Sequence, residues 1–298
     1  MPKDILTLRA LSNHLRAEIK GQDHVIERVN SVLQRGELGL SNPRRPKGSF
    51  LFVGPTGVGK TELTNVFTHF LFNGSKPVRF DMSEYQSAGS VEKLIGEKVT
   101  DAGLFGRAMR NITFGTLLFD EIEKAHPLVL DLFLQMLEDA MVTVASGKTI
   151  SLKDFYIVFT SNIGANEAMR MQSAPLASIE RTVLSRVGQE LRPELVGRIT
   201  EKIVFMRLPF EVQRSICEKM IADELSRLRS LGWSLTIAPS VIELIIREGY
   251  HKTLGMRPMR GTVERQLQSA IVTAALNGLS TRQLAISTEN DRLNINPI

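Results

Sequence analysis

Cysteine, tryptophan and long apolar runs are scarce in this chain. Its 298 residues include one cysteine, Cys217, and one tryptophan. A single thiol excludes a disulfide framework, and Cys217 is predicted to be a small buried apolar side chain. No run approaches the roughly 18 apolar residues that cross a bilayer, and the charged N-terminal segment has no signal-peptide core. We therefore expect a cytoplasmic protein that makes no membrane contact.

Charge of one sign is also in short supply. The formal net charge is +5, from 37 basic and 32 acidic residues, and the excess is spread along the chain. Without a concentrated basic stripe, and with only three tyrosines, few groups can neutralise phosphates or stack on bases. A nucleic-acid partner is therefore disfavoured. The 43% of hydrophobic residues instead supports a sizeable folded core.

Short apolar runs separated by helical stretches indicate the fold. The runs are SFLFVG (49–54), VRFDM (78–82), TLLFD (116–120), FYIVFTSN (155–162) and KIVFMRL (202–208). Five buried strands that alternate with helices predict an α/β fold with a five-stranded parallel sheet. Beyond Pro209 the pattern becomes mostly helical, over 211–230, 239–248 and 259–276, with one weak strand, RLNIN. We expect a large domain at 1–208 and a small helical domain at 209–298.

A glycine-rich turn follows the first predicted strand and opens a helix. Its sequence, GPTGVGKT, comprises Gly54, Pro55, Thr56, Gly57, Val58, Gly59, Lys60 and Thr61. This is the P-loop pattern, in which glycines let backbone N–H groups surround a phosphate at a helix N-terminus. Lys60 is expected to reach the β- and γ-phosphates, and Thr61 to offer its hydroxyl to Mg²⁺. The predicted cofactors are ATP and Mg²⁺.

Two later strands end in polar side chains that complement the P-loop. Asp120 closes the run TLLFD, where it can hold Mg²⁺, and Glu121 follows, placed to polarise the attacking water. Asn162 ends the run FYIVFTSN, where a neutral amide can orient that water. Alone, two acids after a strand are as often solvated, and an Asn there is usually a turn residue. Beside a P-loop the catalytic interpretation is favoured.

The chain resembles the AAA+ ATPases, and more narrowly the second ATPase domain of the Clp unfoldases ClpA, ClpB and ClpC. The resemblance covers nearly the whole chain and rests on GLSNPRRPKGSFLFVGPTGVGKTEL, FDMSEY, FDEIEKAHP, FTSNIG, RPELVGRI and GMRPMR. It implies an AAA+ P-loop NTPase with a small C-terminal lid domain. Clp unfoldases carry further N-terminal domains, so the chain is expected to be a second module standing alone.

The resemblance also implies roles that spacing alone does not. Arg198 looks like the arginine finger that reaches a neighbouring subunit's ATP, with Arg192 as its competitor, and Arg257 looks like the sensor on the lid. Surface exposure for Arg198 and helix capping for Arg257 are the alternatives. Gly21 and Gln22 fall in the adenine pocket, beside Lys20, where the family usually has an apolar residue. A finger supplied in trans implies a ring oligomer, expected to be a hexamer.

The segment LIGEKVTDAGLFG (94–106) departs from the family. There the family has a loop whose aromatic residue grips threaded polypeptide. In this chain the corresponding segment is several residues shorter and contains no tyrosine. In one alignment the grip is deleted and LFGRAMR forms the following helix. In the other, GLFG replaces the loop and Phe105 is the aromatic. Deletion is favoured, because the spacing from Arg107 to Asp120 then fits without gaps.

The sequence favours a Clp-like ATPase that remodels a protein partner or complex. The alternative is an ATP-dependent assembly switch that does not thread, and a nucleic-acid motor or loader is disfavoured. The segment 140–152 keeps the length of the family's second pore loop but lacks its acidic residue. Residues 165–184 contain no glycine-centred apolar tripeptide of the kind that docks ClpP, so no ClpP-type protease is expected.

Overall fold

The computed structural model describes residues 4–171, 173–251, 254–278, 281–290 and 292–298. Within them the chain forms two compact units, one reaching to Pro55 and resuming over Gly59–Met206, the other comprising Thr56–Val58 and Arg207–Ile298. The helices of the first unit are α1 (Ile5–Glu18), α2 (Asp23–Glu37), α3 (Lys60–Leu71), α4 (Ser90–Ile95), α5 (Gly103–Ala108), α6 (Pro127–Asp139), α7 (Ala165–Arg170), α8 (Leu176–Glu190) and α9 (Pro193–Arg198). Its strands are β1 (Gly48–Val53), β2 (Val78–Asp81), β3 (Gly115–Asp120), β4 (Met141–Thr143), β5 (Thr149–Ser151), β6 (Phe155–Ser161) and β7 (Glu201–Val204).

Five of these strands form one parallel sheet in the order β2–β3–β6–β1–β7, which confirms the predicted fold class. Every residue of β1 and β6 is buried, as expected for strands that helices cover on both faces. That double burial is why they are continuous apolar runs in the sequence. Because the strands are parallel, the carboxyl ends of β1, β3 and β6 meet at one edge, where ligands bind in such sheets.

The second unit is mostly helical, with a small sheet. Its elements are α10 (Phe210–Ser230), β8 (Ser234–Ile237), α11 (Pro239–Gly249), α12 (Met259–Leu276), β9 (Gln283–Glu289) and β10 (Arg292–Pro297). β10 pairs antiparallel with β9, which pairs parallel with β8, so two strands join the single one that was predicted. Cys217 is fully buried in the core of this unit, which confirms its predicted packing role.

Within the described ranges, every helix is too short or too polar to cross a bilayer.

Candidate functional site

The P-loop has the backbone that its glycines predict. Gly54, Gly57 and Gly59 have φ of +137°, +74° and +105°, in the region that L side chains avoid. A Cβ at Gly54 would also clash with the carbonyl oxygen of Phe205, so the close approach there requires glycine. α3 begins directly after Gly59, so its first N–H groups and its dipole face the turn. The segment is built to receive an anion.

Lys60 is buried and is held by oxygen atoms. Lys60 is only 8% exposed. Its Nζ donates to the carbonyl oxygens of Gly54 and Pro55 and, over 2.9 Å, to Oδ1 of Asn162. Burial lowers the pKa of Lys60 to about 8, and the carboxylates of Glu123, Asp120 and Glu121 oppose that shift. A bound phosphate would add negative charge beside Lys60 and stabilise its ammonium form further.

Asp120 ends β3 with both carboxylate oxygens engaged. Oδ1 accepts from the Thr160 hydroxyl on β6, and Oδ2 pairs with the guanidinium of Arg79 on β2. Neither partner was predicted to be a site residue. Thr160 could have been found, since it lies two residues before Asn162 on a strand that was already assigned. Arg79 could not, because its proximity depends on the pairing of β2 with β3.

The oxygen ligands predicted for Mg²⁺ suit that ion only when phosphate supplies further ligands. Thr61 stands on the first turn of α3, and Asp120 is the carboxylate at the end of β3. Among the described residues, no group of three or more His, Cys, Asp or Glu side chains could hold a metal ion. Mg²⁺ commonly binds proteins through one or two oxygen ligands, with phosphates and water completing the octahedron. The donor set therefore fits Mg²⁺ that arrives with a nucleotide.

Glu121 occupies an unusual backbone position. Its φ is +58°, left-handed for a residue that has a Cβ, and such strain concentrates at functional sites. The Glu121 N–H donates to Thr160 Oγ1 over 3.2 Å. Its carboxylate pairs with Lys124 and accepts a long 3.5 Å contact from Asn162 Nδ2. That pairing raises the pKa of Lys124, chiefly through the hydrogen bond from Lys124 to Glu121.

Asn162 connects the polar groups of this edge. Its Oδ1 accepts from Lys60, its Nδ2 faces Glu121, and its backbone N–H donates to Oε1 of Glu123 over 2.9 Å. The structure thus brings together three predicted site residues, Lys60, Asn162 and Glu121, and it adds Glu123 to them. In the sequence, Glu123 could be noticed only as a second acid two residues after Glu121.

The predicted adenine segment is tied to the end of β7. Gly21 has φ +72°, and Gln22 is fully buried. The Gln22 amide donates to the Met206 carbonyl oxygen over 2.7 Å and accepts from the Met206 N–H over 3.1 Å. His24 contacts the Val204 carbonyl oxygen at 2.9 Å. Gln22 therefore has an anchoring role.

The two candidate arginine fingers, Arg198 and Arg192, form ion pairs away from this network. Arg198, the last residue of α9, pairs with Glu138, and Arg192 pairs with Asp131, both acids being on α6. The two candidate fingers are thus held along one face of one helix. Arg257 is exposed and lies in the turn that precedes α12.

The connection between α4 and α5 is a short closed turn. Gly96 and Gly103 have φ of +95° and +63°, and a Cβ on either would collide with backbone of the same turn. Phe105 lies on α5, is 0% exposed, and stacks against Phe80 with ring centroids 5.7 Å apart. The expectation that Phe105 is packed into the core is confirmed. Val99, 76% exposed, is the apolar residue that this turn presents.

The segment compared with the second pore loop forms the hairpin β4–β5. Its strands pair antiparallel from Met141 opposite Ser151 to Thr143 opposite Thr149. The N–H of Ala145 at its tip donates to the Ile95 carbonyl oxygen over 2.9 Å. The hairpin is thereby attached to the end of α4, next to the closed turn.

A parallel sheet with a P-loop after β1, an acidic pair after β3 and an amide after β6 defines a P-loop nucleoside triphosphatase. A family model of the AAA domain (Cdc48 subfamily) matches residues 45–202, more than half of the chain. A second model, of the C-terminal D2-small domain of ClpB protein, matches residues 208–286. The chain therefore belongs to the AAA+ ATPases of the Clp type, a family of ATP hydrolases, and corresponds to their second ATPase domain. This confirms the resemblance drawn from the motifs.

Curated relatives agree with that assignment. The chain is 38% identical over 269 residues to Heat shock protein 100 of Trypanosoma brucei brucei, covering 88% of the chain and 31% of the relative. It is 35% identical over 291 residues to Chaperone protein ClpB of Mycoplasmoides gallisepticum, covering 95% and 40%. It is 35% identical over 299 residues to the ATP-dependent Clp protease ATP-binding subunit ClpE of Lactococcus lactis, covering 98% and 40%. The chain thus spans roughly a third to two fifths of the length of these relatives.

Proposed function

We propose that this chain hydrolyses ATP at the edge where β1, β3 and β6 end, and that it uses the reaction to remodel a protein partner or complex. The observation that carries the proposal is the connected set formed by Lys60, Asn162 and Glu121 beside the P-loop. Residues 1–208 would supply the nucleotide site and residues 209–298 the lid domain. We also propose that the chain works in the cytoplasm.

Each residue of the set has a role that its chemistry supports. The P-loop N–H groups and Lys60 bind the β- and γ-phosphates, while Gly21 and Gln22 form part of the adenine wall. Glu121 takes a proton from the attacking water, which Asn162 orients. Thr61 and Asp120 would hold Mg²⁺, which, when bound, withdraws charge from the phosphoryl oxygens. Lys60 would exchange its carbonyl partners for phosphate oxygens when ATP binds.

The arginine roles rest on the resemblance. Arg198 would stabilise the phosphoryl group of a neighbouring subunit, an effect of about 10³–10⁵ in rate in related chemistry. Its pairing with Glu138 would have to open for that contact. Arg257 is a second cation for the γ-phosphate in this proposal. A finger in trans makes a ring of identical subunits the working form, and we propose a hexamer.

A switch that changes the state of a partner without threading is the second candidate, and the closed turn favours it. A threading motor holds an unfolded chain of any sequence, which an exposed aromatic ring can do by non-directional contact. Here Phe105 is inside the core, and the turn carries Glu97, Lys98 and the single apolar Val99 at its surface. Docking to a ClpP-type protease is not part of either candidate.

Nucleotide binding is tested first with Lys60→Ala. Removal of the buried ammonium should abolish measurable binding of a fluorescent ADP, together with ATP turnover. Lys153→Ala, at an exposed lysine, is the matched control and should keep both. Turnover by Lys60→Ala equal to that of the unmodified chain would contradict the proposed site.

Assembly and threading need separate experiments. ATPase activity per subunit should rise with protein concentration, and mixing Arg198→Ala subunits with Lys60→Ala subunits should restore part of it. Concentration-independent turnover by a monomer would exclude the ring.

For threading, the chain with ATP should fail to unfold a tagged, stably folded reporter that a trap captures on release. Robust unfolding of that reporter would favour the first candidate over the switch.

A further inference from the structure

Glu123 lies beside the proposed catalytic residues and has a role that the functional assignment does not use. It belongs to the short helical turn Ile122–Lys124 that follows β3. One of its oxygens, Oε1, accepts the backbone N–H of Asn162 over 2.9 Å. The other, Oε2, is buried, and no hydrogen-bond partner reaches it from the described part of the chain. A carboxylate kept in such a place costs free energy, so its presence calls for a reason.

The backbone ladder between β3 and β6 stops just before the catalytic residues. The last paired residues of these parallel strands are Phe119 and Phe159. Beyond that point the strands are joined by side chains. Thr160 donates to the Asp120 carboxylate and accepts the Glu121 N–H, and Glu123 then accepts the Asn162 N–H. The two Thr160 contacts therefore connect β6 to Asp120 and Glu121 at the end of β3. The Glu123 contact connects the turn after β3 to Asn162, directly after β6.

This arrangement decides how Glu121 and Asn162 are spaced. Both lie beyond the ladder, and a 3.5 Å contact between Nδ2 of Asn162 and Oε1 of Glu121 joins them. Glu121 also sits on a left-handed backbone, which needs surrounding contacts to persist. The Glu123–Asn162 hydrogen bond is a further link between the segment after β3 and the segment after β6. With the Asn162 backbone held in this way, its side chain accepts a hydrogen bond from Lys60.

We propose that Glu123 is a positioning residue that fixes Asn162 relative to Glu121 by accepting the Asn162 N–H. The inference rests on the proposed ATP hydrolysis and concerns an acceptor, not a charge. Catalytic groups that are misplaced by about 1 Å can lose roughly 100-fold in rate while the substrate still binds. Loss of the acceptor should therefore lower kcat far more than it weakens nucleotide binding.

Three variants separate the acceptor from other effects. Glu123→Ala removes it and should lower kcat by about 10- to 100-fold. Glu123→Leu fills the volume without an acceptor, should behave alike, and serves in its place where the alanine variant does not fold. Glu123→Gln keeps an amide oxygen for the Asn162 N–H and should retain at least about a third of kcat. Glu218→Ala, at an exposed acid on α10, is the matched control and should be unchanged.

Each variant is measured for kcat and KM with ATP, for affinity toward a fluorescent ADP, and for thermal unfolding. The ADP affinity of Glu123→Ala should stay within about threefold of the unmodified chain, since the P-loop is intact. Because Glu123 acts through Asn162, adding Glu123→Ala to Asn162→Ala should cost no more than about twofold beyond Asn162→Ala alone.

Several results would overturn the inference. Full kcat in Glu123→Ala or Glu123→Leu would show that the contact is dispensable. A Glu123→Gln variant as slow as Glu123→Ala would show that charge matters in place of the acceptor. Multiplicative losses in the double variant would show that Glu123 acts independently of Asn162. Absence of turnover in the unmodified chain would instead refute the proposed function, while the ADP affinity reports separately on nucleotide binding.

Discussion

Truncation of Phe105 distinguishes a core residue from an exposed grip. The ring is fully buried on α5, stacked on Phe80, which in turn stacks on Phe119 at 5.5 Å between centroids. Phe105→Ala would leave a cavity among these rings, and such truncations cost about 3–5 kcal/mol in unfolding free energy. With roughly 2–4 °C per kcal/mol for a domain of this size, we expect Tm to fall by about 6–20 °C.

The assay is urea and thermal unfolding of the purified variants. Phe105→Leu keeps most of the apolar volume and should cost only about 1–1.5 kcal/mol. Phe114→Ala is the matched control: Phe114 is 56% exposed and touches Phe72 at the surface, so about 1 kcal/mol or less is expected. An unchanged Tm for Phe105→Ala would refute the reasoning, because it would mean that the ring does not occupy the core. Intact stability with lost reporter unfolding would identify Phe105 as the grip.

Further predictions concern backbone, thiol and hydroxyl groups. Gly188→Ala, in open space on α8, should raise the free energy of unfolding by about 0.5–1 kcal/mol. Gly103→Ala, at φ +63°, should lower it by about 1 kcal/mol or more. Urea unfolding in which both variants change alike would contradict this. Burial raises the pKa of Cys217 to about 11, so thiolate is scarce at pH 8, and iodoacetamide should label the folded chain about 100-fold more slowly than the urea-unfolded one; equal rates would count against it. Tyr156→Phe removes a donor to the buried Glu37 carboxylate and should cost about 1–3 kcal/mol in urea unfolding, and a stabilised variant would contradict this role.

The central sheet was predictable because its signals are local. Each buried strand is a continuous apolar run, and the polar residues that follow β1, β3 and β6 are adjacent in sequence to those runs. Parallel pairing then places the ends of the runs at one edge without further information. Lys60 and Asn162, 102 positions apart, could therefore be expected to lie near each other.

The small sheet of the second unit was not predicted in full, because β8 is only four residues long. β9 mixes apolar and polar residues, since part of its surface remains exposed. Such segments become strands through their partners, and their own composition says little. The hairpin β4–β5 was missed for the same reason, with three residues on each side.

The site's supporting contacts were also beyond local reasoning. Arg79 meets Asp120 across neighbouring strands, and Arg198 meets Glu138 between separate helices. Glu123 accepts a backbone N–H, a contact that residue type and spacing do not reveal. The sequence therefore identifies the groups suited to the chemistry, while the structure identifies those that hold them in place.

Substitution of Glu121 tests the central claim most directly. Glu121→Gln keeps the shape of the side chain and leaves Asp120 and Lys60 unaltered, so the chain should still bind ATP with Mg²⁺. Loss of the proton acceptor should lower turnover by about 10²–10⁴-fold. The measurement is single-turnover hydrolysis of radiolabelled ATP with bound nucleotide quantified in the same samples. Retained ATP with scarcely any phosphate released is the predicted result, and full turnover by Glu121→Gln would contradict the account.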